Sequence, residues 1–308
     1  MVAQEHTTYR VLSTNRHNKT LQLPCAKDTQ SVPQLFGAYL PPCQRMRQTT
    51  SFKHLIWLFG YTLQIIHLAR SLQPTTTRQL NTNHRGSIRL FLDTADVSVW
   101  KELLPLGLFH GVTTNPTLLE RANEPCTVKN IHSLAQTALT MTDEFMCQTW
   151  GSKWEDMYVT GMQLSQPDRK RIVIKVPVTK TGTQAASELL QSGCRVCLTA
   201  CYNSQQAVVA AGLGAEYLAP YLGRMNDEGR EGMKEVQTME TIVRNMGGDT
   251  RILVASIRNL DSMTDLMTES KMDTFTLSPE IARALFEDTL TETAAKVFED
   301  AAQNNMAP

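Results

Sequence analysis

The chain has 308 residues, in which 30 lysines and arginines balance 30 aspartates and glutamates. A chain of this length suits one large α/β barrel or two modest domains, and its balanced charge argues against nucleic acid or an anionic membrane as the main partner. Seven cysteines are an odd number scattered over a long chain. They do not indicate a disulfide framework, and they favour a reducing compartment for the folded part.

The first 87 residues differ in composition from the rest, and we interpret residues 1–87 as a targeting or disordered extension. Between residues 29 and 92 there is no Asp or Glu, while Arg and Lys recur among Ser, Thr, Gln and Asn. Basic, hydroxyl-rich, acid-free segments are typical of organelle transit peptides. We therefore expect an organellar protein, in a plastid or a mitochondrion, with a cytoplasmic location as the alternative. A mis-set gene start remains a further explanation.

An apolar block, LIWLFGYTLQIIHLA, occupies residues 55–69 of this extension. It carries Gln64 and His67, and it is shorter than the ~20 residues that a spanning helix needs. A signal-like core within a longer presequence fits better than an anchor, so no membrane association is expected of the mature form. Met46, just before the block, is an alternative start.

From residue 88 onward, short apolar runs alternate with stretches of helical periodicity, which indicates a parallel sheet. Eight such units in residues 88–308 predict a (β/α)8 TIM barrel, because that fold typically takes ~250 residues. A doubly wound sheet is the rival, but no G-x-G-x-x-G opens a helix after the first strand. The predicted strands, in chain order, are IRLFLD (88–93), GVTT (111–114), EFMCQ (144–148), IVIKVPV (172–178), CRVCLT (194–199), EYLAP (216–220), ILVAS (252–256) and TFTL (274–277).

The fourth strand, RIVIKVPVT at residues 171–179, places Lys175 among β-branched residues. A charged lysine in a buried strand is costly, and desolvation lowers its pKa. We therefore expect a neutral amine able to attack carbonyls and form a Schiff base. The alternative is that the stem of Lys175 is buried while its ammonium group reaches water.

Other polar residues stand at strand ends, where the active sites of barrels lie. The set consists of Asp93, Asn115, Gln148, Lys175, Thr199, Tyr221 and Ser256. An aldol cleavage through an imine needs an amine, a proton shuttle and a clamp for the substrate. Lys175 supplies the amine, and Asp93 is the candidate acid/base. Capping of the helix near Val97 is the alternative role for Asp93, although Asp96 or Ser98 would cap it better.

Three further groups of residues each have a functional and an ordinary interpretation. Thr114 and Asn115 precede Pro116, so they either form a turn or direct polar groups at the substrate. Arg224, Ser256 and Arg258 resemble a phosphate clamp, although a lone arginine is more often in a surface ion pair. Cys194 and Cys197 are three apart on a strand and face opposite sides, which argues against a metal site and for core packing.

In order along the chain, FLDTAD, GVTTNPTLL, IVIKVPVT, CLTACY, GAEYLAPYLGRMND and ILVASIRN resemble the transaldolase and fructose-6-phosphate aldolase family of class I Schiff-base aldolases. The resemblance implies that Lys175 forms an imine with a ketose C2 carbonyl and that Asp93 shuttles the proton when the C3–C4 bond breaks. Asn115 and Thr199 would hold reacting groups and a catalytic water. Arg224, Ser256 and Arg258 would bind the phosphate. No metal or organic cofactor is implied, because the protonated imine is the electron sink.

The family has two branches, which differ in the fate of the enamine. An aldolase releases free dihydroxyacetone, whereas a transaldolase passes the unit to an aldose phosphate. Gln148 and Tyr221 resemble the aldolase branch, where transaldolases usually carry glutamate and phenylalanine. Gly223-Arg224 and Arg258-Asn259 resemble the transaldolase side. We favour a fructose-6-phosphate aldolase-like enzyme, with a pentose-phosphate-pathway transaldolase as the alternative.

Two other functional classes are alternatives to this family. Another lysine-dependent barrel, such as a deoxyribose-phosphate aldolase or a dehydratase, fits the ordered motifs less well. A non-catalytic barrel that binds sugar phosphates would need only the phosphate clamp, not both Lys175 and Asp93. The resemblance also implies a homo-oligomer, because small family members form rings through a C-terminal helix and SPEIARALFEDTLTETAAKVFEDAA can supply one.

Overall fold

The computed structural model describes residues 88–306. The predictions that concern residues 1–87, including the apolar block at 55–69, lie outside the described residues. All eight predicted strands are present within the described range, and each starts within one residue of its predicted position. They are β1 (Arg89–Asp93), β2 (Gly111–Thr113), β3 (Glu144–Gln148), β4 (Ile172–Pro177), β5 (Arg195–Cys201), β6 (Tyr217–Pro220), β7 (Arg251–Ile252) and β8 (Thr274–Leu277).

Helices follow the strands and pack around them. They are α1 (Val97–Leu103), α2 (Pro116–Arg121), α3 (Val128–Ala138), α4 (Trp154–Ser165), α5 (Lys180–Gln191), α6 (Gln206–Leu213), α7 (Leu222–Asp227), α8 (Gly232–Asn245), α9 (Leu260–Ser270), α10 (Pro279–Ala284) and α11 (Thr289–Asn305). Within residues 88–306, none of these helices is both long and apolar enough to cross a membrane.

The strands are parallel and follow the order β7-β6-β5-β4-β3-β2-β1-β8. Strand β7 is shorter than predicted, and the chain beyond it joins β8 through backbone bonds. The Val254 amide donates to the Thr274 carbonyl at 3.0 Å, and the Thr276 amide donates to the Val254 carbonyl at 2.9 Å. These bonds bring the two ends of the sheet together, and the predicted (β/α)8 barrel is confirmed.

The interior of the barrel is filled rather than open. One buried cluster occupies it, and it consists of Phe91, Met146, Val173, Cys197, Tyr217, Ala219 and Leu253. The opposite faces of the strands pack against the helices in a separate, larger core. Cys197 belongs to the interior cluster, whereas the Cys194 thiol contacts Met162 and Ser165 outside the barrel. The two cysteines therefore face opposite sides, as the strand period predicts.

Charged side chains cluster at the amino-terminal ends of the strands. Glu144 is 3% exposed and pairs with Arg195, which also pairs with Glu216. His110 lies 3.8 Å from the Glu144 carboxylate. Burial works to raise the pKa of Glu144, but the electrostatic interactions with His110 and Arg195 outweigh it and hold that pKa below its usual range. This end of a TIM barrel usually serves stability.

We expect Glu144→Gln to lower the free energy of unfolding at pH 7 by ~3 kcal/mol, because a buried ion pair loses one partner. A carboxylate whose pKa is lowered by folding stabilises the native state above its unfolded pKa of ~4.3, and this contribution is lost as the pH falls through the folded pKa. The difference between the two proteins should therefore shrink in acid. Denaturant unfolding between pH 3 and pH 7 measures it.

The matched control is Glu231→Gln, which removes a carboxylate from the exposed pair with Lys234. Exposed pairs of this kind contribute little to stability. Equal losses in the two variants, or a difference at Glu144 that does not change with pH, would contradict the assigned role.

Candidate active site

A cavity of about 480 Å³ opens at the carboxyl-terminal ends of the strands. The loops after β1, β2, β6, β7 and β8 contribute to it, and so does the side chain of one residue within β4. Seven of the ten residues singled out from the sequence line this cavity: Asp93, Asn115, Lys175, Tyr221, Arg224, Ser256 and Arg258. The other three, Thr114, Gln148 and Thr199, do not line it. The barrel thus brings together residues that are spread over 165 positions of the chain.

Lys175 lies within β4 and is only 2% exposed, yet it lines the cavity. It does not snorkel into bulk water. Burial works to lower its pKa, but the negative groups of Tyr221, Asp93, Cys197 and Cys147 outweigh burial, and the pKa of Lys175 ends above its ordinary value. The expectation that burial alone leaves this amine neutral is therefore wrong.

The groups that raise the pKa of Lys175 do not all act at the same pH. Phenols and thiols are negative only when ionised, and burial raises the pKa of Cys147 and of Cys197 to about 12. The raised pKa favours the ammonium form of Lys175, which must lose a proton before the amine attacks a carbonyl.

Asp93 ends β1, and it is free of the capping role that was its alternative. The Oδ1 atom of Asp96 accepts a bond of 2.8 Å from the Ser98 amide and caps α1 instead. The Thr113 hydroxyl donates to Oδ1 of Asp93 at 2.6 Å. Asp93 is thus held by a neighbouring strand while it faces the cavity, as an acid/base group requires.

Tyr221 and Thr199 form a pair of hydroxyl groups. Their oxygens lie 3.1 Å apart, and Thr199 is fully buried while Tyr221 lines the cavity. The register of β5 against β6 shifts between Leu198 and Cys201, where Ala200 has a φ of 56°. Bulges of this kind redirect side chains at the ends of barrel strands. The phenol therefore stands at the boundary between the buried hydroxyl and the cavity.

Gln148 is paired in register with Lys175 across β3 and β4. Residues paired in this way project to the same side of a sheet. Gln148 is half-buried and lies beside the amine rather than on the wall of the cavity. The strand that carries it runs over the predicted residues 144–148.

Asn115 and Thr114 are adjacent in sequence, but their side chains point in different directions because strand residues alternate in direction. Asn115 caps α2 by accepting the Leu118 amide at 3.1 Å through Oδ1, which leaves its side-chain NH₂ group for the cavity that it lines. Asn115 therefore caps a helix and lines the cavity at the same time, so its role in the turn does not exclude the predicted role in the site. Thr114 is fully buried away from the cavity, and its hydroxyl has no partner among the described residues. The hydroxyl group next to Asp93 is that of Thr113, which also contacts the hydroxyl of Thr276.

The three residues predicted as a phosphate clamp share one side of the cavity. The guanidinium of Arg224 stacks over the Tyr221 ring, 4.9 Å from its centre, and Arg258 pairs with Asp227 at 3.0 Å. Ser256 has a φ of 60°, which is strained for a residue with a side chain and costs on the order of 1–2 kcal/mol. Backbone strain of this kind concentrates at functional sites.

Gly223 explains how this loop reaches helix α7. Its amide donates to the Ser256 carbonyl at 2.8 Å. A Cβ atom at this position would lie 2.3 Å from that oxygen and 2.7 Å from the side chain of Arg258. The absence of a side chain therefore lets the serine and the arginine close over the start of the helix.

Several lining residues were missed from the sequence. Thr276 lines the cavity, and Arg121, Glu280 and Arg283 stand at its mouth on helices α2 and α10. Arg283 pairs with Glu102 at 2.7 Å. Strand alternation could have identified Thr113, since it stands two residues before Asn115, but only the packing of α2 and α10 against the barrel reveals the charged mouth.

Comparison with known proteins identifies the family of this chain. Residues 90–307 match the family model described as Transaldolase/Fructose-6-phosphate aldolase. A protein of Phenylobacterium zucineum (strain HLK1) named "Probable transaldolase" is 34% identical over 211 residues, which cover 68% of this chain and 94% of that protein. Proteins with the same name from Chelativorans sp. (strain BNC1) and Caulobacter sp. (strain K31) are 32% and 30% identical over the same shares of each chain. The chain therefore belongs to the transaldolase/fructose-6-phosphate aldolase family, and it is an enzyme of that type.

Proposed function

We propose that this enzyme uses Lys175 as a Schiff-base nucleophile to cleave fructose 6-phosphate-type ketoses and release or transfer a dihydroxyacetone unit. One observation carries the proposal. An enclosed amine, 2% exposed, lines the same cavity as the carboxylate of Asp93 and the arginines Arg224 and Arg258. Nucleophile, acid/base and phosphate clamp thus share one space of about 480 Å³, a size that suits a small sugar phosphate. A non-catalytic sugar-phosphate binder has no use for the first two groups.

Imine formation begins with removal of a proton from the Lys175 ammonium. Asp93, which lines the same cavity, accepts that proton directly or through a water, and the free amine attacks the C2 carbonyl to give a carbinolamine. Asp93 then returns the proton to the departing C2 oxygen, which leaves as water. The products are the protonated imine and an ionised Asp93, so the carboxylate is ready for the next step. The amide of Asn115 is placed to hold the C2 oxygen or a neighbouring hydroxyl.

Cleavage follows as Asp93 removes the proton of the C4 hydroxyl. The C3–C4 bond breaks, its electron pair flows into the protonated imine, and an aldose phosphate departs. What remains on Lys175 is the neutral enamine of dihydroxyacetone. Arg224, Ser256 and Arg258 hold the phosphate throughout, which positions C4 next to the carboxylate.

The enamine then has two fates. Protonation at C3 and attack of water on C2 release free dihydroxyacetone, whereas capture by an aldose phosphate makes a new ketose. The hydroxyl pair of Tyr221 and Thr199, with Gln148 nearby, supports the aldolase outcome, because these groups can hold a water beside the imine. The name "Probable transaldolase" of the relatives supports transfer as the alternative. We favour the aldolase-like outcome.

A homo-oligomer is part of this proposal, and helix α11 supports it. The helix has no buried residue among those described, although Leu290, Val297 and Phe298 are apolar and 82%, 57% and 71% exposed. Their spacing places them on one face. A second copy of the chain is the occupant we propose for that face.

An organellar location, proposed from the composition of residues 1–87, is tested by sequencing the mature amino terminus.

Borohydride reduction in the presence of fructose 6-phosphate should leave a covalent adduct on Lys175, detected by peptide mass spectrometry. Because the pKa of Lys175 is raised, the trapping rate should increase as the pH rises above 7. Asp93→Asn removes an anion that stabilises the ammonium, so its pH profile should be displaced toward lower pH even though cleavage is lost.

Lys175→Met should abolish the adduct, and Lys101→Met, at an exposed position of α1, should retain it. An adduct on another lysine, or none in the wild-type enzyme, would refute the Schiff-base proposal. An identical pH profile in Asp93→Asn would refute the charge coupling alone.

Fructose 6-phosphate without an acceptor should yield free dihydroxyacetone, measured by a coupled reductase assay. Tyr221→Phe removes the phenol that holds water, so release should fall about tenfold relative to transfer onto erythrose 4-phosphate. Tyr158→Phe is the control, since its hydroxyl contacts Ser192 on the helical shell. Turnover of the wild-type enzyme only with an acceptor would establish the transaldolase alternative.

Phe298→Glu should convert the oligomer to a monomer in light scattering coupled to size exclusion, because it places a charge on the apolar face of α11. Gln303→Glu adds the same charge to the opposite face of that helix and should leave the assembly intact. A wild-type protein that is already monomeric would contradict the proposal.

A further inference from the structure

Two buried threonines connect Asp93 to a third barrel strand. The Thr113 hydroxyl donates to Oδ1 of Asp93 at 2.6 Å, and the Thr113 and Thr276 hydroxyl oxygens also lie 2.6 Å apart. Thr113 is fully buried in β2, and Thr276 is 2% exposed in β8. These two strands flank β1, the strand that carries Asp93.

The direction of these bonds follows from counting protons. A hydroxyl group has a single proton to donate, and Thr113 gives its own to the carboxylate. The proton between the two threonines therefore belongs to Thr276, which donates to Thr113. Hydrogen bonds arranged in such a chain polarise and strengthen one another. The bond received by Asp93 is therefore stronger than one from an isolated hydroxyl.

This series of hydrogen bonds engages one oxygen of the Asp93 carboxylate and leaves the other available to the cavity. Among the described residues, the hydrogen bond to the Asp93 carboxylate comes from the Thr113 hydroxyl and is received by Oδ1. This bond restrains the carboxylate through one oxygen and leaves Oδ2 to accept the proton of a substrate hydroxyl. Thr276 itself lines the cavity, as Asp93 does, so both ends of this hydrogen-bonded series face the same cavity.

We infer that Thr276, acting through Thr113, is a positioning residue that orients the carboxylate of Asp93 toward the C4 hydroxyl of the ketose. The inference rests on the proposed function. In the cleavage step, Oδ2 takes the C4 hydroxyl proton while the C3–C4 electron pair enters the imine. Oδ1 still accepts from Thr113, so the proton stays on the oxygen that faces the cavity. It is then available to the enamine carbon or to an acceptor aldehyde.

Simple packing does not account for this arrangement. An aliphatic residue would fill the same volume inside a β-strand without placing a second buried hydroxyl next to the acid/base group. Thr274 on the same strand provides the contrast, because its hydroxyl donates to Asp273 at the opposite end of the barrel. The two threonines share a strand, a residue type and complete burial, and they differ in what they contact.

The test compares Thr276→Ala with Thr276→Ser, which differ by one oxygen atom. Thr276→Ala should lower kcat for cleavage of fructose 6-phosphate about tenfold, the order expected from loss of a hydrogen bond that supports a charged group. Its KM should stay within twofold, because the phosphate clamp is unchanged. Borohydride trapping should still yield the adduct on Lys175, at a lower rate, because Asp93 also shuttles the proton during imine formation. Thr276→Ser should recover most of kcat.

The control pair is Thr274→Ala and Thr274→Ser, for which kcat should be unchanged. Equal losses in Thr276→Ala and Thr276→Ser, a loss in Thr274→Ala as large as that in Thr276→Ala, or a kcat of Thr276→Ala within twofold of wild type would each overturn the positioning role. If Thr276→Ala does not fold, Thr276→Val preserves the volume, and the same criteria apply to it.

Failure of the proposed function has a different signature. A wild-type enzyme that forms no adduct with fructose 6-phosphate would refute the Schiff-base reaction itself. A wild-type enzyme that forms the adduct and turns over, with Thr276→Ala equally active, would refute the role of Thr276 and leave the reaction standing.

Discussion

The burial of one ammonium group inside a closed parallel barrel is the constraint on which this site depends. Lys175 is nearly inaccessible to solvent, and a buried charge is costly unless a partner stabilises it. Tyr221 and Asp93 oppose the effect of burial, and the pKa of Lys175 ends above its ordinary value. In the proposed mechanism, the carboxylate of Asp93 also takes the proton of this amine. One interaction thus serves both the folded protein and the proposed chemistry.

The two ends of the barrel divide stability from chemistry. At the amino-terminal ends of the strands, Glu144 and Arg195 form a buried ion pair that ties β3 to β5. At the other end, Asp93, Lys175, Tyr221 and the arginines line the cavity. Between them, a layer of apolar side chains separates the two sets. Charged residues at one end can therefore be optimised for pairing while those at the other stay available to a substrate.

The side of the cavity that we propose to bind phosphate depends on backbone geometry as much as on charge. Ser256 adopts a left-handed conformation, and its carbonyl accepts the amide of Gly223. Only a residue without a side chain allows that approach. The strain at the serine is offset by this bond and by the closure of the chain after β7 onto β8. Arg224, stacked on Tyr221, links the anion side of the cavity to the hydroxyl pair beside the amine.

The sequence by itself determined the eight strands, their order along the chain and most of the strand-end residues, because alternation, β-branched runs and turn residues are local signals. It also indicated that Asp96, rather than Asp93, caps helix α1. Only the tertiary structure decided the direction in which the pKa of Lys175 shifts, because that pKa reflects groups on strands far apart in sequence. The same holds for Thr114 and Thr276. Thr114 reads like its neighbour Thr113 but faces away from the cavity, and Thr276 reaches Asp93 only because the closed barrel places β8 beside β1.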